Sequence, residues 1–360
     1  MKILRCYPFL PPTGGGMENH ILLLTLEQKR QGKQVVLAYN QGKSIDKKDQ
    51  AVIPWLNLRK VRPQFLRDSI FYCCLLWNMA CKSVKYDVVH IHGAWSAFIW
   101  GNIIANVSKS TVRVASIHGS LKTSLFWQKV YRWCLKSYQI IYCTGSAEAE
   151  FLISIGLKQV RWQSSGIRPH FIQNDLSIES RYDVITVGSL VPVKNFDLFL
   201  DTAKLAKNYR FAIVGAGPLE QTLKTRCQKE LINNVFFLGR LEPESLSKVL
   251  MASKVFLSTS IAEGTPTAIL EAMATGRPIL VTPSNDYTNL IKQKVNGYIL
   301  DYSAEVIADT LKKLLEDPVE YELMSVANKQ QAQIFGWENV AQTISSWIDS
   351  KINEYENEKK

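Results

Sequence analysis

The residues best suited to chemistry lie between positions 255 and 278, VFLSTSIAEGTPTAILEAMATGRP. Two carboxylates stand there with seven residues between them, Glu263 in a polar turn and Glu271 on the helix that follows. Thr265 has an N-cap side chain, Pro266 suits the first helical position, and Gly276 with Pro278 marks the stop. Thr267 and Ala268 precede Glu271 by four and three residues and share its helix face. The N-terminus of such a helix favours an anion, which Gly264, Thr265, Pro266 and Thr267 would surround. A carboxylate beside an anion site serves some other group, and hydroxyls are the natural guests because ionised carboxylates accept their hydrogen bonds. Taken singly, Glu271 reads more readily as a solvated surface residue and Glu263 as an ordinary loop acid; it is the coincidence of turn, cap, glycine and spacing that sets them apart.

Other candidates stand at strand ends. Thr13-Gly14-Gly15-Gly16-Met17-Glu18 follows the first strand and opens a helix, and its glycines let backbone N–H groups approach a phosphate or sugar. It departs from the G-x-G-x-x-G of a dinucleotide fold, and a plain tight turn reads the same way. His118 ends a strand and so points toward a ligand crevice, although on its residues alone a core histidine bonded to backbone is the better reading. His90 and His92, in DVVHIH, read as structural or crevice-lining.

The elements that must position these residues alternate from end to end. Short apolar strands are predicted at 3–7, 34–38, 87–91, 112–117 and 139–143, then at 183–188, 211–214, 235–238, 255–258 and 279–281. Helical patterns fall between them, among them 64–83, 95–107 and 121–137, and a helical region closes the chain. This alternation implies parallel α/β sheets, here two Rossmann-like doubly wound domains facing across a cleft at their strand C-terminal ends. A polar stretch near 164–179, with Gly166 and Pro169, reads as the linker. The division is 1–165, 166–335 and a last helix 336–360.

Composition sets the bounds. A chain of 360 residues with 46% hydrophobic and 21% charged residues is globular and holds two domains. The seven cysteines show no metal-ligand spacing, and several lie in apolar surroundings as reduced core residues would. Residues 88–108 carry no charge but break into strand, glycine turn and helix, which excludes a membrane span there. The N-terminus reads as a strand followed by prolines rather than a signal peptide. Residues 1–170 carry 23 Lys and Arg against 8 Asp and Glu, a net +15, while 171–360 carry 20 against 24, a net −4. Such asymmetry points the first half toward an acidic surface. No nucleic-acid motif accompanies the charge, so no nucleic-acid partner is expected.

The segment 255–278 resembles the signature of the retaining group 1 nucleotide-sugar glycosyltransferases, whose fold is GT-B. Glu263, seven residues, Glu271 and then Ala272-Met273-Ala274-Thr275-Gly276-Arg277-Pro278 match the family's pattern, and the likeness covers nearly the whole chain. The resemblance implies a first domain that binds the acceptor, a second that binds the nucleoside-diphosphate sugar, and a last helix crossing back onto the first. It implies that Glu271 holds the ribose hydroxyls, that Glu263 contacts the sugar, and that His118 contacts the donor sugar. Gly15 and Gly16 match the family's Gly-Gly-x-Glu motif. Gly188-Ser189-Leu190 with Lys194 resembles the Gly-Arg-Leu…Lys turn that grips the donor diphosphate, with serine in place of arginine. A serine gives one neutral hydrogen bond where an arginine gives a charged fork. Arg240 and Arg168 are possible substitutes, neither fixed by the sequence. Gly239-Arg240-Leu241 resembles the stretch against the nucleobase, and Ser165-Gly166-Ile167-Arg168 departs from the usual Asn-Gly-Val-Asp.

The implied activity is transfer of a sugar to a glycan, lipid-linked, in bacterial cell-surface polysaccharide or lipopolysaccharide synthesis. No D-x-D motif is present, so no metal and no further cofactor is expected. A nucleotide-sugar epimerase and a non-catalytic sugar-nucleotide-binding protein are the alternatives. The reduced cysteines fit a cytoplasmic protein, and the basic first half would make it peripheral on the inner face of the cell membrane. The helix at 121–137 sharpens this, because Lys122, Lys129, Arg132 and Lys136 form one stripe bordered by Phe126 and Trp133. Arg59, Lys60, Arg62 and Arg67 would add to that surface.

Overall fold

The computed structural model describes every residue except 12–15, 44–45, 83, 120, 173–177, 263–266, 284–289 and 359–360. The chain forms two compact units, one of Met1–Gly166 with Trp337–Lys360 and the other of Ile167–Gly336.

In the first unit the strands are β1 (Lys2–Cys6), β2 (Gln34–Tyr39), β3 (Gln50–Ala51), β4 (Val88–His92), β5 (Val112–Ile117), β6 (Ile140–Cys143) and β7 (Val160–Trp162). They form one parallel sheet in the order β3-β2-β1-β4-β5-β6-β7. Its helices are α1 (Gly16–Arg30), α2 (Gln64–Lys82), α3 (Trp95–Ser108), α4 (Leu125–Leu135) and α5 (Ser146–Ser154). Alternation along β1 sends Leu4 and Cys6 into the core beneath α2 to α5, and Ile3 to the opposite core. Strands buried between two helical layers carry apolar residues on both faces, as Val88, Val89 and Ile91 do in β4 and Val112, Val114, Ala115 and Ile117 in β5.

The second unit opens with α6 (Pro169–Ile172), inside the stretch expected as a linker. It continues with β8 (Tyr182–Val187), α7 (Phe196–Leu205), β9 (Phe211–Val214), α8 (Glu220–Lys229), β10 (Val235–Gly239) and α9 (Pro243–Met251). Next come β11 (Ser253–Ser258), α10 (Thr267–Ala274), β12 (Ile279–Val281), β13 (Gly297–Ile299), α11 (Ala304–Glu316) and α12 (Pro318–Ile334). The sheet is parallel, in the order β10-β9-β8-β11-β12-β13. The chain then returns to the first unit as α13 (Trp337–Glu358), whose Val340, Ile344 and Ile348 cover the Ile3 face of that sheet.

Strand order reverses between β1 and β4 in the first unit and between β8 and β11 in the second. Crevices at such switch points, outside the strand C-terminal ends, are where open α/β sheets bind ligands.

Three strands escape sequence reading, β3, β7 and β13, because two or three residues cannot display an alternation and these lack the wholly apolar run that marks the equally short β12. Helix 121–137 is shorter than expected. It begins at Leu125, since Ser124 has extended backbone, so Lys122 lies before the helix with its ammonium 4.7 Å from the Trp127 ring centroid. All seven cysteines are free, but Cys73 and Cys81 are exposed on α2 rather than in the core.

Candidate functional site

In the second unit, backbone hydrogen bonds lace together the turns that follow β8, β9 and β10. Gly188 N–H donates to Val214 O at 3.0 Å, Leu190 N–H to Ala216 O at 3.1 Å and Gly215 N–H to Gly239 O at 2.8 Å. This closeness requires glycine at 215, where φ is +141° and a Cβ would lie 1.8 Å from the Gly188 carbonyl oxygen. Ser189 is exposed on the first of these turns. Lys194 ends a 3-10 turn, Pro192–Lys194, and folds back toward Gly188, where a Cβ would lie 3.8 Å from its Nζ. Arg240, exposed, and Leu241, half-buried, follow β10.

The segment leaving β11 is tied to the same turn. Thr259 Oγ1 donates to Lys194 O at 3.1 Å and to Asn195 O at 2.9 Å, and Ile261 N–H donates to Val193 O at 2.9 Å. Lys194, Ser189 and the approach to the 263–266 turn therefore meet at the switch point of this sheet. Glu263, Gly264, Thr265 and Pro266 lie outside the described residues, as does Gly15, while Gly16 starts α1.

Helix α10 carries Glu271 with Thr267 and Ala268 on its half-buried side, and buries Ile269, Leu270, Ala272 and Met273. Burial pushes the Glu271 carboxyl up to about 7, opposed by the positive charge of Arg168. The charge of Arg168 is thus felt at Glu271. The helix ends in a Schellman motif: Arg277 N–H donates to Ala272 O at 3.0 Å and Gly276 N–H to Met273 O at 2.9 Å, with Gly276 at φ +73°.

The first unit brings its histidines to the ends of β4 and β5. His92 Nδ1 and His118 Nε2 lie 3.0 Å apart, and His90 stacks on His92 with ring centroids 4.2 Å apart. Arg5 is fully buried, a residue sequence reading passed over. It donates to Thr25 Oγ1 at 2.6 Å, to Gln28 Oε1 at 2.5 Å and to His90 Nδ1 at 3.3 Å. A guanidinium can only donate, so His90 Nδ1 accepts and its proton rests on Nε2, 2.6 Å from Ser116 Oγ. Burial holds all these histidines below their ordinary pKa, His118 at about 3, so they act as neutral hydrogen-bonding rings near pH 7.

His92 and His118 line a cavity of about 300 Å³ at the switch point between β1 and β4. Tyr7, Met17, Gln64, Arg67 and Asp68 line it too, and none of these was singled out for chemistry. Arg67 is not part of a basic outer surface. Its Nε lies 3.6 Å from Asp68 Oδ1, and its guanidinium lies 5.3 Å from the Phe9 ring centroid. Arg59 shares that ring at 4.8 Å and stands 4.0 Å from Glu18.

Comparison with known proteins agrees with this layout. Residues 168–332 match the family described as Glycosyl transferases group 1, and residues 14–170 match Glycosyltransferase Family 4. The chain belongs to the group 1 glycosyltransferases. An Escherichia coli relative, UDP-Gal:alpha-D-GlcNAc-diphosphoundecaprenol alpha-1,3-galactosyltransferase, is 27% identical over 66% of this chain and 68% of its own. The phosphatidylinositol N-acetylglucosaminyltransferase gpi3 subunit of Schizosaccharomyces pombe is 19% identical over 96% of this chain and 80% of its own. Among solved structures, Anabaena Alr3699/HepE in complex with UDP and glucose superposes with a TM-score of 0.76 at 16% identity, covering 97% of this chain and all (100%) of that one. The lipopolysaccharide outer core galactosyltransferase WaaB gives 0.73 at 17%, covering 98% and 100%. The fold is GT-B.

Proposed function

We infer that this glycosyltransferase moves a sugar from a nucleoside-diphosphate sugar to a lipid-linked glycan, with retention of the anomeric configuration, in bacterial cell-surface polysaccharide or lipopolysaccharide synthesis. The observation that carries the reading is the convergence of Lys194, the laced glycine turns and the segment leading to Glu263 at the β8/β11 switch point. The names of the Escherichia coli and Schizosaccharomyces pombe relatives, each of which includes a lipid-borne substrate, support the acceptor class.

In this reading Lys194 and the N–H groups at the start of the helix that bears Glu271 take the negative charge of the departing diphosphate, the kind of donors that such a transition state needs. Ser189 adds one neutral hydrogen bond. Gly15 and Gly16 lie close to the donor, and Arg240 and Leu241 flank the base. Glu271 holds the ribose hydroxyls. Glu263 bonds the sugar and orients it as positive charge develops at its anomeric carbon. His118, neutral, hydrogen-bonds the donor sugar. The acceptor oxygen bonds to the anomeric carbon from the face that the phosphate leaves, and the departing phosphate takes the acceptor's proton. No divalent ion is required, so EDTA should leave turnover unchanged.

The basic first unit docks on the anionic inner face of the membrane. Lys129, Arg132 and Lys136 are exposed, beside exposed Leu125, Phe126 and Trp133, while Tyr131, Cys134 and Leu135 face the core. Helix α2, which like α4 packs on α3, adds Trp77, 73% exposed, and residues 88–147 contain no Asp or Glu. Exposed aromatics among bases suit a lipid interface. No described helix is long and apolar enough to cross a membrane.

Thermal shift with a panel of nucleotide sugars, joined to nucleotide release with and without a membrane lipid extract, tests the reading. One donor should stabilise the protein by mass action, and lipid should accelerate release. Release that needs no acceptor, or stabilisation by none of the panel, would overturn it.

A further inference from the structure

The histidines of the first unit belong to a hydrogen-bond chain that crosses its sheet. The chain starts at Arg5 on β1, fully buried and held by Thr25 and Gln28 on α1 and by His90 on β4. His90 accepts from the guanidinium at Nδ1 and donates from Nε2 to Ser116 Oγ on β5. Ser116 in turn hydrogen-bonds the phenol of Tyr142 on β6. Because its oxygen already accepts from His90, Ser116 donates to Tyr142; accepting twice would leave its own buried proton unpaired. Tyr142 Oη lies 3.3 Å from His20 Nε2 and donates there, which puts the His20 proton on Nδ1. His20 Nδ1 lies 2.8 Å from Ser165 Oγ, the last link among the described residues. Ser165 is one of the residues that depart from the family's Asn-Gly-Val-Asp, and here its hydroxyl accepts from His20.

One member of this chain has a fixed sense. A guanidinium cannot accept, whereas hydroxyls and neutral imidazoles work in either direction, so Arg5 sets the direction for all of them. The rings it fixes are the ones that hold the site histidines. His90 stacks on His92, His92 stacks on His118 with ring centroids 5.3 Å apart, and His20 meets His118 edge to face at 4.7 Å. His90 and His20 have both nitrogens bonded within the chain. His92 and His118 share a single bond with each other, and His92 Nε2 has no partner among the described residues. The cluster is thus two locked rings bracing two that line the cavity. We propose that Arg5 is a positioning residue for sugar transfer: it fixes the tautomers of His90 and His20 through this chain, and those two rings hold His92 and His118 at the angle that meets the donor sugar. The proposal rests on the sugar-transfer reading above. Arg5, with no exposed surface, acts through the rings alone.

The test reads tautomers and turnover in the full chain. The sequence holds five histidines, so the nitrogen–proton correlation spectrum of histidine-labelled protein is sparse, and His20→Gln and His90→Gln assign the two rings. Near pH 7, where burial keeps both neutral, wild type should show His90 protonated at Nε2 and His20 at Nδ1. In Arg5→Met, which lacks both charge and donors, each ring should show both tautomers. Its kcat for transfer should fall roughly tenfold or more, as misplaced site groups do, with the thermal shift given by nucleoside diphosphates unchanged. Arg5→Lys still can only donate, so it should restore the tautomers and much of kcat. Tyr142→Phe removes one hydroxyl and decides the matter if Arg5→Met does not fold. There His20 should show both tautomers while His90 keeps its proton on Nε2, and kcat should fall with nucleotide binding unchanged. Tautomers that do not move in Arg5→Met or Tyr142→Phe, or a kcat equal to wild type where they do move, overturns the proposal. Tautomers that respond as described, in a protein that transfers sugar from no donor, would uphold the control of the rings by Arg5 and overturn the sugar-transfer reading instead.

Discussion

Glu271 carries a carboxyl raised to about 7 on the helix that bears the family's signature. A folded pKa above the unfolded 4.5 means that the native state binds more protons between those values. Stability therefore falls as pH rises from 4.5 to 7 and stays lower above that. Glu271→Gln removes this slope, so its Tm at pH 8 should exceed wild type by about 2–4 °C, with little difference at pH 4.5. The same variant and Glu271→Ala should bind the nucleotide more weakly by about 1.5–3 kcal/mol in calorimetry, because a charged hydrogen bond to ribose is lost. A variant that gains stability and loses ligand marks a residue placed for function, whereas loss of both would mark a structural one. Ser189 stands exposed where the family has arginine, so Ser189→Arg should tighten a nucleoside diphosphate or leave it unchanged. Weaker binding with an intact fold would give the serine a role of its own.

Among the elements, the turns rather than the helices set the site. Gly276 at φ +73° would place a Cβ 2.3 Å from Lys329 Cε and 2.9 Å from Ser325 Oγ, the far ends of two side chains that can turn aside. Gly276→Ala should then cost about 1–2 kcal/mol, the left-handed backbone penalty alone. Gly215→Ala should cost more, because the obstacle is the Gly188 carbonyl oxygen at 1.8 Å and the laced turns cannot part without losing hydrogen bonds. Urea unfolding ranks the two, and the reverse order would mean that the turns are not held together as described. These elements differ in how legible they are from sequence. Strands β4 and β11 and helix α10 announce themselves by apolar runs and helix-stop glycine. The cavity beside His118 does not, because Tyr7, Asp68 and His92 come from three distant segments joined only by the parallel crossover of β1 and β4. Arg5 stays hidden for the same reason: an arginine in a strand reads as exposed until Thr25, Gln28 and His90 supply acceptors. Lys122 misleads in the other direction, since spacing alone carried the helix four residues too far back.

For the whole molecule, charge and exposure divide the work. In the proposed membrane reading, the net +15 of residues 1–170, against −4 for the rest, is what would draw the protein to an anionic surface. Each base near such a surface contributes about 1 kcal/mol, screened by salt. Sedimentation with vesicles should show binding to anionic but not neutral lipid, reduced at high salt and when Lys129, Arg132 and Lys136 become Ser. Changing Trp77 and Trp133 to Ser should reduce what remains at high salt, since apolar insertion is not screened. Equal partitioning to both vesicle types, unchanged by the lysine and arginine substitutions, would remove the membrane from the account. The central claim is transfer itself, and incorporation of labelled sugar from a nucleotide sugar into an organic-extractable lipid product measures it most directly. The account predicts incorporation by wild type with one donor of the panel, unaffected by EDTA and at least tenfold lower in Glu271→Ala, in line with the loss of one charged hydrogen bond. Label that stays in the aqueous phase with every donor, or incorporation equal in wild type and Glu271→Ala, would contradict it.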